Sequence, residues 1–107
     1  MGVSKRHIHS VGVNQLADLA KVLSHPARIS ILNYIGDCEG CLCKDIATTI
    51  RLSQPTTSQH LQVIKNSGLL KSHFEGKSQY YTINKDRLSK LKELFHDFFE
   101  TAEQKCC

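Results

Sequence analysis

The sequence predicts one mainly α-helical domain with a small β-hairpin, and three observations lead to this fold class. Apolar residues recur at spacings of three and four along most of the chain, which is the period of an amphipathic helix. The period changes to two only after Gly68, as a strand requires. The 107 residues, 40% of them hydrophobic, suffice for a single core and are too few for two ordinary domains.

The first two predicted helices lie on either side of a short connection. Residues 1–13 are expected to be a flexible basic arm, and Asn14 is the expected N-cap of the first helix. Ser24 is the expected N-cap of the second helix, which has Pro26 in its first turn and stops at Gly36. The predicted apolar faces are Leu16, Leu19, Ala20 and Leu23 in the first helix and Ile29, Ile31, Leu32 and Ile35 in the second.

Two further helices are expected after a cysteine-bearing connection at residues 37–43. The third helix is predicted to begin at Asp45, and Ser53 is expected to cap the fourth, with Pro55 in its first turn. Gly68 supplies the left-handed residue that ends the fourth helix. The residues expected to be buried are Ile46, Ala47 and Ile50 in the third helix and Leu61, Val63 and Ile64 in the fourth.

A hairpin and a long last helix complete the predicted domain. The turn residues 75–78 separate an alternating strand from the strand-forming residues 79–83. Asn84 or Asp86 is expected to cap the last helix, and we assign residues 86–105 to dimerisation because they carry more apolar surface than a small core can absorb. The residues expected in the homodimer interface are Leu16, Leu19, Leu91, Leu94, Phe95, Phe98 and Phe99.

The predicted order α-α-α-α-β-β-α, with a tight turn between the third and fourth helices, is that of a winged helix-turn-helix. The fourth helix would then read DNA, because its hydroxyl and amide side chains can donate to phosphates and base edges. The charge pattern agrees, since the net charge is +4 and no acidic residue lies between Asp45 and Glu75. The candidate DNA contacts are Ser53, Gln54, Thr56, Thr57, Ser58, Gln59, His60 and Lys65 on the helix, with Lys77 and Ser78 on the wing.

Three segments together resemble the ArsR/SmtB family of winged-helix repressors: residues 23–32, residues 53–61 with 67–70, and residues 75–81. The resemblance implies a homodimer that binds a two-fold symmetric operator, with two recognition helices about 34 Å apart, until an effector releases it. Two residues depart from the family pattern. Arg51 stands where a glycine is usual, which costs about 1 kcal/mol if the position needs a positive φ. Thr57 replaces a usual valine, so its hydroxyl is either buried or free to contact DNA.

The five cysteines divide into two groups. The first group is Cys38, Cys41 and Cys43, which lie within six residues, and the second is the adjacent pair Cys106 and Cys107. Thiolates are soft ligands that select zinc, cadmium, copper(I) and, by the same argument, As(III). We therefore expect the first group to converge on one such ion, with the second group as further candidate ligands and no cofactor required for DNA binding. We also expect the dipole of the following helix to lower the pKa of Cys41 and Cys43. In the resembled family a Cys-x-Cys at this helix is a metal and metalloid site, although here the pair lies one position earlier.

Other functions remain open for the same residues. The thiols could sense oxidation or reactive sulfur, or have no sensory role, and the domain could be a winged-helix protein-interaction module without an effector. Enzyme classes are disfavoured, because Cys38-x-x-Cys41 lacks a βαβ context and no phosphate-binding loop or nucleophile elbow is present. Without an apolar run for a membrane helix or a signal peptide, a cytoplasmic protein with no membrane partner is expected.

Overall fold

The computed structural model describes residues 6–36, 38 and 40–105, and it confirms the predicted winged helix-turn-helix with two additions. A short 3-10 turn at Arg6–Ile8 precedes the first helix, and a two-residue strand precedes the third. The elements are α1 (Val11–Val22), α2 (Pro26–Gly36), β1 (Cys41–Leu42), α3 (Cys43–Ile50), α4 (Gln54–Asn66), β2 (Leu70–Glu75), β3 (Ser78–Ile83) and α5 (Lys85–Lys105).

The sheet has three antiparallel strands in the order β1-β3-β2, so the expected two-stranded hairpin is incomplete. In β1, Cys41 pairs with Tyr81, and β2 pairs with β3 from Leu70 opposite Ile83 to the turn. Gly76 begins the two-residue turn and has a φ of +62°, which favours glycine. The third strand escaped prediction because two residues are too few to display an alternating pattern.

One hydrophobic core joins the helices to the sheet. Its members come from α1, α2, α3, α4 and α5 and from all three strands. They are Leu19, Ile31, Ile35, Cys41, Ile46, Leu61, Ile64, Leu69, Leu70, Tyr81 and Leu91. Ile29 and Val63, both expected to be buried, are instead exposed at 40% and 37%, because residue spacing places a side chain on a face but does not fix the edge of the core.

The cap predicted for α1 is wrong. Ser10 is the N-cap, since its hydroxyl accepts a hydrogen bond from the backbone N–H three residues on. Asn14 lies inside the helix and donates from its side chain to the Arg6 carbonyl at 3.0 Å. The described part of the predicted arm therefore forms the 3-10 turn and the first turn of α1, and Arg6 forms a bidentate ion pair with Asp18.

The cap predicted for α2 is also wrong, whereas those of α4 and α5 are confirmed. The His25 ring accepts a hydrogen bond from the Ala27 N–H through Nδ1 at 3.1 Å, while the Ser24 hydroxyl donates back to the end of α1. Ser53 caps α4 as expected. The side chain of Asn84 caps α5 by accepting from a backbone N–H three residues on.

Two tight connections set the direction of α4. Gly68 follows the C-cap residue of α4 and has the predicted left-handed conformation, with a φ of +90°. Before it, Arg51 has a φ of +61°, so the turn does require the left-handed conformation that the sequence left conditional. Helix α3 begins at Cys43, two residues before the predicted Asp45. Across the described residues, no helix combines the length and the apolarity that a membrane span needs.

Candidate nucleic-acid interface and thiol segment

The first turns of α4 present most of the predicted DNA contacts to solvent. The Ser53 hydroxyl accepts from the Thr56 N–H at 3.2 Å and donates to the Thr56 hydroxyl at 3.0 Å, which fixes the start of the helix. Gln54 in the first turn and Ser58 and Gln59 in the second turn are exposed. Both hydroxyls at the cap are also exposed, so this end of α4 offers a polar surface without a carboxylate.

A cleft of about 520 Å³ connects the start of α4 with the wing and with α3. It brings together three predicted DNA contacts, Gln54, Ser58 and Ser78, and it also contains Cys43. Lys44 and Gln79 line the same cleft and were missed. Their positions follow from strand register and helix start, which residue type alone does not reveal.

Thr57 is wrong as a predicted DNA contact. The side chain is 0% exposed, and its hydroxyl has no hydrogen-bond partner among the residues that the structure describes. The residue lies on the inner face of α4, one turn before Leu61, where helical periodicity directs it into the core. Of the two alternatives that the sequence left open for this hydroxyl, burial is the correct one.

His60 is half-buried and joins α4 to α2. Arg28 donates from Nε to His60 Nδ1 at 3.3 Å and from a terminal nitrogen to the Val22 carbonyl, also at 3.3 Å. The rings of His25 and His60 lie 4.5 Å apart. Burial, followed by the proximity of His25 and Arg28, lowers the pKa of His60 from its ordinary value. Sequence reasoning missed Arg28, which lies 32 residues away in the chain.

The two predicted lysine contacts lie on different elements. Lys77 is exposed in the turn between β2 and β3. Lys65 is half-buried near the end of α4, about 16 Å along the helix axis from Gln54 at 1.5 Å per residue. Lys77 therefore extends the polar surface of the cleft toward the wing, whereas Lys65 is remote from it.

We call the stretch that contains Cys38, Cys41 and Cys43 the thiol segment. Its three cysteines do not converge on one point, contrary to the prediction. Among the described residues no three His, Cys, Asp or Glu side chains are grouped as metal binding requires. Cys38 contacts the buried Cys41 thiol, whereas Cys43 donates from Sγ to the Gln54 carbonyl at 3.8 Å. The strand at Cys41 and the helix starting at Cys43 direct the two side chains to different neighbours. Cys106 and Cys107 lie outside the described residues.

The expected activation of these thiols by the helix dipole is also wrong. Burial, with smaller contributions from Cys38 and Asp45, raises the pKa of Cys41 to about 12. Burial likewise raises the pKa of Cys43. The net shift is upward for both thiols, because burial disfavours the charged thiolate.

The predicted dimer residues divide into a buried, a half-buried and an exposed group. Leu19 and Leu91 are only 3% and 4% exposed within one chain, so they belong to the core, and their assignment to the interface is wrong. Leu16 and Leu94 are half-buried, as is Phe95. The two remaining phenylalanines of α5 are exposed: Phe98 at 51% and Phe99 at 60%. A mostly apolar groove between α1 and α5 is lined by Val13, Leu16, Leu94 and Phe98.

Comparison with known sequences finds a matching family model and similar proteins. The family model described as bacterial regulatory protein, arsR family, matches residues 25–72, which include α2, α3 and α4. The chain is 30% identical over 92 residues to an arsenical resistance operon repressor of Staphylococcus xylosus, covering 86% of each protein. It is 40% identical over 81 residues to a cadmium resistance transcriptional regulatory protein, CadC, of Listeria innocua, covering 75% of this chain and 67% of that protein.

Comparison with solved structures supports the same fold. The chain matches the solution structure of a homodimeric winged helix-turn-helix DNA-binding domain from Mycobacterium bovis, described as a possible ArsR-family transcriptional regulator. The TM-score is 0.67 at 29% identity, and the match covers 96% of this chain and 90% of that one.

Proposed function

Because this chain belongs to the arsR family of bacterial regulatory proteins, we propose that it forms a homodimer on operator DNA and is released by a thiophilic ion. It is an ArsR-family transcriptional repressor, and the family consists of DNA-binding regulators rather than enzymes. The exposed polar residues at the start of α4 and the wing would contact the operator. The exposed phenylalanines of α5 would contact the second copy.

One contact supports the link between the thiols and DNA binding. The Cys43 thiol donates to the carbonyl of Gln54, the first residue of the reading helix. Cys38 and Cys41 already lie together and offer two sulfurs, so a three-sulfur site needs Cys43 as well. To join them, Cys43 must leave the Gln54 carbonyl, which would disturb the start of both α3 and α4.

The relatives support a thiophilic effector. Their names refer to arsenical and cadmium resistance, and both As(III) and Cd²⁺ prefer sulfur ligands. Zinc and copper(I) remain candidates on the same ligand chemistry.

Fluorescence anisotropy with a labelled promoter fragment tests the effector. The reduced protein should bind the fragment, and arsenite or Cd²⁺ should release it. The Cys41→Ser/Cys43→Ser double variant should bind the fragment with unchanged affinity. At least one of the two ions should no longer release this variant from the fragment. A Cys106→Ser/Cys107→Ser variant provides the matched control and should respond like the wild type. If only this control loses the response, the effector site lies at the C-terminal pair instead.

Thiol oxidation is a second candidate, favoured by the contact between Cys38 and Cys41. Hydrogen peroxide could take one hydrogen from each thiol, leaving a disulfide and two water molecules. Cys43→Ser separates the two mechanisms, because it should abolish release by the ion and preserve release by peroxide. Mass spectrometry would locate the disulfide between residues 38 and 41.

The DNA-reading role can be separated from a protein-interaction role. Gln54→Ala and Gln59→Ala should each reduce the preference for the operator over random duplex. Gln62→Ala is the control on the same helix, since its side chain donates to Asn66 at 2.9 Å instead of projecting from the first turn. A wild-type protein without preference for its promoter over random duplex at moderate salt would contradict operator recognition.

A further inference from the structure

We propose that Arg51, in the turn between α3 and α4, is an additional contact to the DNA phosphate backbone. This inference rests on the proposed binding of DNA by α4. It adds to that interface a residue outside both the reading helix and the wing. The assignment comes from the conformation of Arg51, its lack of partners in the described chain and its place in the turn.

The backbone conformation of Arg51 gives no structural reason for an arginine at this position. The residue has φ and ψ of 61° and 43°, in the left-handed region where a Cβ atom is strained and glycine is favoured. Its backbone N–H donates to the Ala47 carbonyl, which any residue except proline could do. A glycine would therefore make the same turn with less strain.

The side chain of Arg51 does not compensate for this strain within the chain. It is exposed, and its guanidinium forms no ion pair or hydrogen bond with residues 6–36, 38 or 40–105. The nearest acidic residues in sequence are Asp45 and Glu75, so the guanidinium has no carboxylate neighbour along the turn or α4. A non-glycine residue in such a conformation is a reason to look for a functional role.

The place of Arg51 indicates what it would contact. It lies two residues before Ser53, the N-cap of α4. When a helix-turn-helix binds DNA, the second helix enters the major groove while the first crosses the backbone, so the turn between them faces the phosphates beside the groove. The planar guanidinium can donate two parallel hydrogen bonds to a phosphate, independently of base sequence.

Replacing Arg51 tests the assignment through two readouts with opposite signs. Arg51→Gly should raise the midpoint of thermal unfolding, because the strain is relieved. It should also weaken binding to operator and random duplex alike. A plot of the logarithm of the DNA-binding constant against the logarithm of the salt concentration has a negative slope. The magnitude of this slope should decrease by about 0.9 for each arginine lost from the complex. Arg51→Lys, which keeps a cation, should retain most of the slope.

Lys92→Ala controls for net charge, since it removes an exposed cation from α5. Its salt slope should equal that of the wild type. The assignment is overturned if Arg51→Gly keeps the wild-type slope, if Lys92→Ala lowers the slope equally, or if Arg51→Gly unfolds at a lower temperature. A wild-type protein that binds operator and random duplex equally would contradict operator recognition alone, because the slopes on random duplex still test the phosphate contact.

Discussion

Thr57 places a polar group in the interior of the domain. Its side chain is fully buried on the inner face of α4, and its hydroxyl lacks a hydrogen-bond partner among the described residues. A buried polar group without a partner costs about 1–3 kcal/mol relative to its hydrated state. Valine has nearly the same shape and needs no hydrogen bond.

Thr57→Val should therefore raise the free energy of unfolding by about 1 kcal/mol, measured by urea denaturation. Operator affinity should not change, because the side chain is inside the protein. Thr49→Val is the control, since Thr49 is exposed and its hydroxyl donates to the Asp45 carbonyl. Equal or lower stability in Thr57→Val would show that the hydroxyl is satisfied in solution.

For single residues, the sequence predicts the chemistry of a side chain better than its environment. The sequence indicated that Arg51 would be strained if its position needs a positive φ, and the structure shows that φ is positive. The pKa of Cys41 could not be anticipated, because burial opposes the helix dipole and only the packed structure shows which is larger. The fate of the Thr57 hydroxyl depended on the rotation of α4 in the same way.

A side-chain contact joins α2 to α4, the candidate DNA-reading helix. His60 accepts a hydrogen bond from Arg28 through Nδ1, so that nitrogen carries no proton in the folded state. Protonation would place a second cation against Arg28 and remove the acceptor. The lowered pKa of His60 likewise means that the folded protein favours the neutral imidazole ring.

Stability should consequently depend on pH through His60. Below the ordinary histidine pKa of 6.5 the unfolded chain binds a proton that the folded chain resists. The free energy of unfolding should thus fall as the pH decreases from 6.5 toward the lowered folded pKa. Urea denaturation across this range should show a shallower decrease in His60→Gln, which keeps an acceptor for Arg28.

His96→Gln supplies the control for this experiment, as it replaces an exposed histidine on α5. It should keep the wild-type pH dependence. If His60→Gln also keeps that dependence, His60 does not titrate differently in the folded and unfolded states.

Whole elements were predicted where their patterns are long, and missed where they are short. Among the described residues, the period of three and four located the helices α1 to α5, and the period of two located β2 and β3. Caps at Ser10 and His25 were missed because several polar residues near each helix start could serve. The thiol segment was predicted to form one cluster because three cysteines lie close in sequence, yet β1 and α3 separate Cys43 from the other two.

The exposed apolar surface formed by α1 and α5 is the interface of the homodimer that we propose. Phe98 and Phe99 are stacked edge to face, with ring centroids 5.3 Å apart, and both remain largely exposed. Phe98 also lines the apolar groove beside α1. A second copy that covers this surface would remove the rings from water, which is the main source of stability in such interfaces.

Phe98→Glu should shift the dimer toward monomer by at least tenfold in dissociation constant, since a charge would have to be buried in the interface. Analytical ultracentrifugation measures the shift directly. Phe74→Glu is a matched control, because Phe74 is 67% exposed on β2, outside the α1 and α5 groove. Unchanged association of Phe98→Glu, or equal loss in both variants, would contradict this interface.

In the repressor that we propose, the short strand β1 would give the thiol segment a second connection to the DNA-binding surface. Cys41 is paired with Tyr81, and the same β3 continues to Ser78 beside the exposed tip of the wing. A displacement of the segment would therefore be transmitted sideways through backbone hydrogen bonds to the wing, as well as forward through Cys43 to α4. In the proposed repressor, an effector bound there would act on both candidate DNA-contacting elements together, so release would not require either contact to be lost completely.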